Sequence, residues 1–186
     1  MIAGSLKGRR LKSPTWEGLR PTSDRLRETL FNVLAPRIAG ARVLDAFAGT
    51  GAVGIEAISR GAREAVFIER DPRAAALVEE NLAHCGIFGG YVIIRAPFGR
   101  AARELVSQPA FVPFDIVLLD PPYHQDRRAD AVADVLTEAA PLAAAGGLVV
   151  LEHRRLQDTP AAAARLARTR TIVSGDSALS LYAVTG

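Results

Sequence analysis

From Arg42 onward, short apolar runs alternate with segments whose apolar residues recur at helical spacing. Val43-Leu44 closes on Asp45, 64–69 runs from Glu64 through Ala65-Val66-Phe67-Ile68 to Glu69, and Tyr91-Val92-Ile93-Ile94-Arg95 makes a third run. Phe114 to Leu119 is a fourth, ending at Asp120, and Leu148 to Glu152 a fifth. Between them lie four helical stretches. Residues 52–59 carry Val53, Ile55, Ala57 and Ile58, and Asp71 and Pro72 open a helix through Leu77, Val78 and Leu82 that Gly86 stops. Weaker patterns cover 100–106 and 129–140. Continuous apolar runs suit strands covered on both faces, and strand-helix alternation predicts a parallel sheet with helices on either side.

The two ends depart from that pattern. Residues 2–12 mix Ile2, Leu6 and Leu11 with two glycines and four cations, which predicts a basic hairpin or extended arm over residues 1–22. Ser23 or Asp24 caps a helix through Leu26, Leu30, Phe31, Val33 and Leu34 that Pro36 and Gly40 end. At the other end, 161–167 reads as a short helix, followed by strands at 169–173 and 179–184. Four residues cannot hold a crossover helix, so these last strands form an antiparallel hairpin at the sheet edge. The expectation is a seven-stranded, mostly parallel α/β sheet, its main domain spanning 23–186.

Composition narrows the setting. The chain has 186 residues, 49% of them hydrophobic, enough for one well-buried core. No apolar run reaches the ~20 residues of a membrane span, and the start leads into basic residues, so a cytoplasmic location is expected. Cys85 is the only cysteine, which excludes an internal disulfide and suits a buried thiol. Residues 1–42 hold nine Lys or Arg against three acids, whereas 43–186 hold fourteen against seventeen. That asymmetry points to a polyanion at the N-terminal end, with a solvated arginine-rich face as the plainer alternative.

The chemistry gathers at strand ends. Asp45, Phe47, Gly49, Thr50 and Gly51 form a glycine-spaced turn between the first strand and its helix. Gly49, Gly51 and Gly54, with Glu69 about twenty positions on, match the dinucleotide fingerprint. Asp45, however, would repel a pyrophosphate and suits a cationic ligand such as S-adenosylmethionine. In that assignment Asp45 lies near the ammonium and Glu69 on the ribose hydroxyls; each acid could instead serve its own turn or helix start. Asp120-Pro121-Pro122-Tyr123 offers a carboxylate and carbonyls where two prolines have removed donors, a set of acceptors for a planar amine with Tyr123 stacking on its ring. His84, His124 and His153 show no metal spacing.

With these motifs in place, the chain resembles the bacterial 16S rRNA guanine-N2 methyltransferase family over nearly its whole length. The resemblance rests on Ile2-Ala3-Gly4, Gly8-Arg9-Arg10-Leu11, the stretch from Leu19 to Asn32, the turn from Asp45 to Gly51, Asp120 to Tyr123, and the tail Ser177-Ala178-Leu179-Ser180-Leu181-Tyr182. It implies a Rossmann-like class I methyltransferase fold, S-adenosylmethionine as methyl donor, and one guanine amine of 16S rRNA as acceptor. The implied partner is the small ribosomal subunit or its assembly intermediate; the residues leave the oligomeric state open, with a monomer the default expectation. Asp120, Pro121, Pro122 and Tyr123 are the implied catalytic group. Arg70, Ala96 and Phe98 join the donor site, and Arg9, Arg10, Arg20, Thr22, Arg25 and Arg27 are the candidate RNA contacts. The family commonly offers an acid or amide to adenine after the third strand, where this chain has Arg95-Ala96-Pro97-Phe98. DNA adenine-N6 and protein glutamine methyltransferases, a non-catalytic RNA-binding assembly module and a nicotinamide oxidoreductase are the rival readings.

Overall fold

The computed structural model describes residues 1–16, 23–122 and 129–185, with only the backbone of 129 and 130. Arg20, Thr22, Tyr123, His124, Arg127 and Arg128 lie outside the described residues. The chain divides into two units, residues 1–98 and 99–186.

The first unit holds β1 (Arg42–Asp45), β2 (Glu64–Ile68) and β3 (Tyr91–Ile94) in the order β3-β2-β1, all parallel. Ala65 and Phe67 of β2 join a cluster with Ile55, Val78 and Leu82. Val66 and Ile68, which alternate with them, are also buried. That two-sided burial is why the run carries no polar alternation. α2 (Ala52–Ser59) and α3 (Pro72–His84) follow β1 and β2 as the spacing predicts, with Asp71 capping α3 through the N–H of Arg73. Cys85 is buried, and desolvation pushes its thiol pKa up, as expected for a packing residue.

α1 (Asp24–Ile38) is capped by Ser23, whose side chain accepts from the N–H of Leu26. It runs through Pro36 rather than ending there. The missing N–H removes a single bond in the last turn, while Leu34 and Ile38 are both buried and keep the turn packed. The N-terminal residues carry no strand up to residue 16; the arm turns back on itself through a 3-10 turn at Gly4–Leu6, and the Gly8 N–H donates to the Met1 carbonyl at 3.0 Å, so its first nine residues form a strandless loop. Met1, Leu6 and Leu11 of the arm pack on the Ile55–Val78–Leu82 cluster.

The second unit continues from α4 (Phe98–Val106), which spans the division between the units, into β4 (Phe114–Leu119), α5 (Ala129–Ala139) and β5 (Ala143–Arg154). Its strands run β4-β5-β8-β7-β6, with β4 and β5 parallel and the rest antiparallel. β5 starts before the expected Leu148, because Gly146, at φ 73°, makes an irregularity inside the strand. At Gly147 a Cβ would stand 2.8 Å from the Ala144 carbonyl oxygen, so glycine is sterically required there, whereas Gly146 is favoured by its positive φ alone.

The expected helix over 161–167 is a hairpin instead: β6 (Ala162–Ala163) pairs with β7 (Leu166–Ser174) across Ala164, whose φ is 48°. Alanine propensity loses to pairing that buries Ala163 and Leu166. β8 (Ser177–Val184) closes the tail, so the strands among the described residues number eight rather than the expected seven.

Candidate active site

β1 delivers Asp45 to its carboxyl end, 4% exposed, and Oδ2 accepts the N–H of Gly54 at 2.9 Å. This satisfies one of the amides that open α2, while helix geometry leaves its neighbours available. Gly51 is the N-cap at φ 78°, a conformation that favours glycine. Gly54 is required for another reason: a Cβ there would lie 2.2 Å from the Phe67 ring.

Glu69 follows β2 and bridges two loops. Its Oε2 accepts the N–H of Gly49 and its Oε1 that of Asp71, both at 2.9 Å. One carboxylate therefore sets the distance between the glycine turn and the start of α3. Each oxygen keeps a lone-pair site for a further donor.

Thr50 is held from below. Asn81 of α3 is fully buried, and its Nδ2 donates to the Thr50 carbonyl at 2.9 Å and to the Lys12 carbonyl at 3.2 Å. Its Oδ1 accepts the Lys12 N–H at 2.7 Å. The same amide thus ties the glycine turn to the basic arm. Glu56, also fully buried, accepts the N–H groups of Ile2 and Ala3 and pairs with Arg60 at 2.7 Å. Ser59 completes the clasp by donating to the Ala3 carbonyl and accepting the Leu6 N–H.

Sequence reasoning missed all three residues. The available signal was polar side chains on buried helical stripes: Asn81 three and four positions after Val78 and Leu77, Glu56 and Ser59 four and seven after Ala52. A buried amide or carboxylate on such a stripe must find partners.

Beside this turn, Arg70, Asp71 and Pro72 face Ala96 and Pro97 across an open groove. Phe98 is buried and tilts against Phe47, with ring centroids 5.2 Å apart. The Ala96 N–H is taken by the Ile94 carbonyl at 3.2 Å. At the groove's rim Arg73 pairs with Asp71 at 3.0 Å and lies 5.2 Å over the Trp16 ring, so Trp16 anchors the arm. The Arg73 hydrogen bond holds the Asp71 carboxyl below its usual pKa.

In the second unit β4 ends at Leu119 and leads into half-buried Asp120, followed by half-buried Pro121 and exposed Pro122. The registry Leu119↔Leu151 sets Glu152 of β5 beside Asp120.

Among the candidate RNA contacts, Arg9, Arg10 and Arg25 are exposed. Arg9 also donates to the His84 carbonyl at 3.2 Å. Arg27 is a correction: it is buried at 8% exposure, since its place on α1 puts it beside buried Leu26 and Leu30, and its Nη2 pairs with Asp24 at 2.7 Å while its buried Nε has no hydrogen-bond partner among the described residues. Packing removes it from the exposed set.

The family model described as Conserved hypothetical protein 95 matches residues 1–183. The Ribosomal RNA small subunit methyltransferase D of Escherichia coli is 36% identical over 182 residues, covering 98% of this chain and 88% of that protein. Among solved structures, a hypothetical protein of Thermus thermophilus matches with a TM-score of 0.81 and 35% identity, covering 98% of both chains. An RNA methyltransferase of Salinibacter ruber, solved with S-adenosyl-L-homocysteine, shares the fold at a TM-score of 0.67 and 15% identity over 89% of this chain and 94% of that one. Among the described residues no helix is long and apolar enough to cross a membrane. The fold is thus that of the class I methyltransferases, and the chain belongs to the Conserved hypothetical protein 95 family, an rRNA methyltransferase family.

Proposed function

We propose that this protein transfers a methyl group from S-adenosylmethionine to the exocyclic N2 amine of one guanine in small-subunit ribosomal RNA, within the subunit or its assembly intermediate. When bound, S-adenosylmethionine supplies a methyl carbon on a sulfonium, a leaving group that needs no metal. The residues of the first unit fit such a donor. Buried Asp45 suits its ammonium, and the open amides at the start of α2 suit its carboxylate. The spare lone pairs of Glu69 suit two ribose hydroxyls. The adenine then lies in the groove between Arg70 and Pro97 and is held by packing, because 95–98 contains neither acid nor amide.

The observation that carries the reading is half-buried Asp120 at the end of a parallel strand, followed by two residues that cannot donate. Such an edge favours a guest that donates and disfavours one that accepts. The Asp120 carboxylate and the Pro121 carbonyl orient the amine, whose lone pair is otherwise delocalised into the ring. As the new C–N bond forms and the C–S bond breaks, positive charge grows on nitrogen. Asp120 stabilises it and takes the departing proton, which passes on to water. Tyr123, next in sequence, stacks on the base in this scheme, and Arg9, Arg10 and Arg25, with Arg20 and Thr22 of the neighbouring segment, hold phosphates.

The test is Asp120→Ala. Methyl transfer to small subunits from cells lacking the protein should fall by at least ~10²-fold, the scale of a lost electrostatic stabiliser, while donor binding by calorimetry stays near wild type. Wild-type turnover by the variant would remove Asp120 from the chemistry. Undetectable donor binding by the unaltered protein would favour a non-catalytic assembly module.

A further inference from the structure

β5 ends at Arg154, two residues beyond the Glu152 that lies beside Asp120. The chain then turns: the Gln157 N–H bonds the Arg154 carbonyl at 2.9 Å, leaving Arg155 and Leu156 at the tip. Leu156 is 94% exposed, more than any other large apolar residue described. A single exposed leucine is ordinary. The support beneath this one is not.

The 154–160 segment is pinned along its length by buried polar groups. His153 is 3% exposed; its Nδ1 donates to the Arg154 carbonyl at 2.9 Å and its Nε2 accepts from the Ser180 hydroxyl at 2.8 Å. The Arg155 N–H donates to the Asp176 carbonyl at 2.8 Å. Buried Thr159 lies 3.3 Å from the same Ser180 hydroxyl, and Arg168 donates to its carbonyl at 2.7 Å. Tyr182, fully buried, donates to the Pro160 carbonyl at 3.0 Å. Ser180 and Tyr182 belong to the tail motif 177–182, to which the proposed chemistry gives no other work. Arg154 and Arg155 are exposed and have no side-chain partner among the described residues. The result is an apolar tip, flanked by two available guanidiniums and held rigidly, just beyond the carboxyl end of β5, the strand that runs parallel beside the one leading to Asp120.

Resting on the proposed guanine chemistry, we infer that Leu156 is a wedge that enters the RNA stack where the target guanine has turned out toward Asp120, with Arg154 and Arg155 on the flanking phosphates. A base inside a stack cannot present its N2 amine in line with a sulfonium. An apolar side chain inserted between base steps offsets the lost stacking, and a rigid mount spares the cost of ordering it on binding. The neighbouring acids Glu152, Asp158 and Asp176 make this a small mixed-charge turn, so the leucine carries selectivity that the arginines alone would not.

The experiment compares L156A, L156K and L156M on small subunits from cells lacking the protein and on an unstructured guanine-containing RNA hexamer. A wedge predicts that L156A and L156K lose roughly tenfold or more in kcat on subunits while L156M retains it, and that the subunit-to-hexamer rate ratio falls for the first two. L156K is decisive, because an added cation strengthens mere phosphate attraction. Equal turnover on subunits by all three variants, or a gain in L156K, overturns the wedge. A wild-type protein inactive on both RNAs would instead overturn the methyl-transfer reading itself.

Discussion

Asn81 offers the sharpest test of how the glycine turn is held. Replacing it with leucine keeps the branching of the side chain and removes three hydrogen bonds, at 2.7, 2.9 and 3.2 Å. Each contributes about 1 kcal/mol net, and a buried carbonyl left without a donor costs about 1–3 kcal/mol more. Lys12 is exposed and its backbone can return to water, whereas Thr50 is 8% exposed and its carbonyl cannot. The sum, about 3 kcal/mol for the bonds and about 1–3 for the orphaned Thr50 carbonyl, places Asn81→Leu at about 4–6 kcal/mol of lost stability. Asn81→Asp should be comparable at neutral pH, because a carboxylate would face the two carbonyls to which the amide donates. Urea unfolding measures this as a lower midpoint at unchanged slope. Lys12→Ala is the control: its exposed ion pair with Glu80 is lost, the backbone bonds to Asn81 stay, and the change should be within ~0.5 kcal/mol. Donor affinity should weaken in the Asn81 variants and not in the control. Asn81→Leu unfolding at the wild-type midpoint would refute the reasoning.

Further outcomes follow from the arm and the tail. Gly4→Ala places a Cβ 1.8 Å from the Ser59 carbonyl oxygen at φ 77°, so the arm must leave α2; Gly8→Ala, at φ 83° with nothing within 4 Å, strains its own backbone but meets no atom of α2, so its effect should be smaller. RNA binding by the Gly4 variant should lose affinity and show a shallower salt dependence, by about 0.7–0.9 per phosphate contact released, and an unaltered slope would place the RNA elsewhere. His153 is held below its usual pKa by burial first and by Arg168, against the opposing bond to the Arg154 carbonyl. A depressed histidine favours the folded state fully above the unfolded value of about 6.5, and that contribution is lost as pH falls through the lower folded value. Thermal unfolding should therefore be level above about pH 7 and decline below about 6.5, with a smaller decline in His153→Gln; an equal decline in both would assign the acid sensitivity to other groups.

The strands and the acids at their ends were legible because each depends on local pattern: a two-sided apolar run, a terminal acid, a glycine turn. Asp45, Glu69 and Asp120 all stand where those runs predict. What stayed hidden depends on partners distant in sequence. Asn81 reads as an ordinary helical residue until Thr50 and Lys12 are seen on either side of it, and Glu56 as a surface acid until the Ile2 and Ala3 amides meet it. Pro36 and the 161–167 alanines misled for the complementary reason. Local propensity favours a break at one and a helix at the other, and buried Ile38 and the β7 pairing outweigh it. Arg27 shares its segment with cations that do reach solvent, and only the burial of its helix face separates it from Arg25.

The central claim is that this fold delivers a sulfonium methyl to a guanine amine presented at Asp120. Its most direct test is isotopic: small subunits from cells lacking the protein are incubated with purified enzyme and methyl-labelled S-adenosylmethionine, and the RNA is digested to nucleosides for mass analysis. The account predicts label in N2-methylguanosine at one position, and none with Asp120→Ala. Label in another nucleoside, or in none while the donor binds, would contradict it.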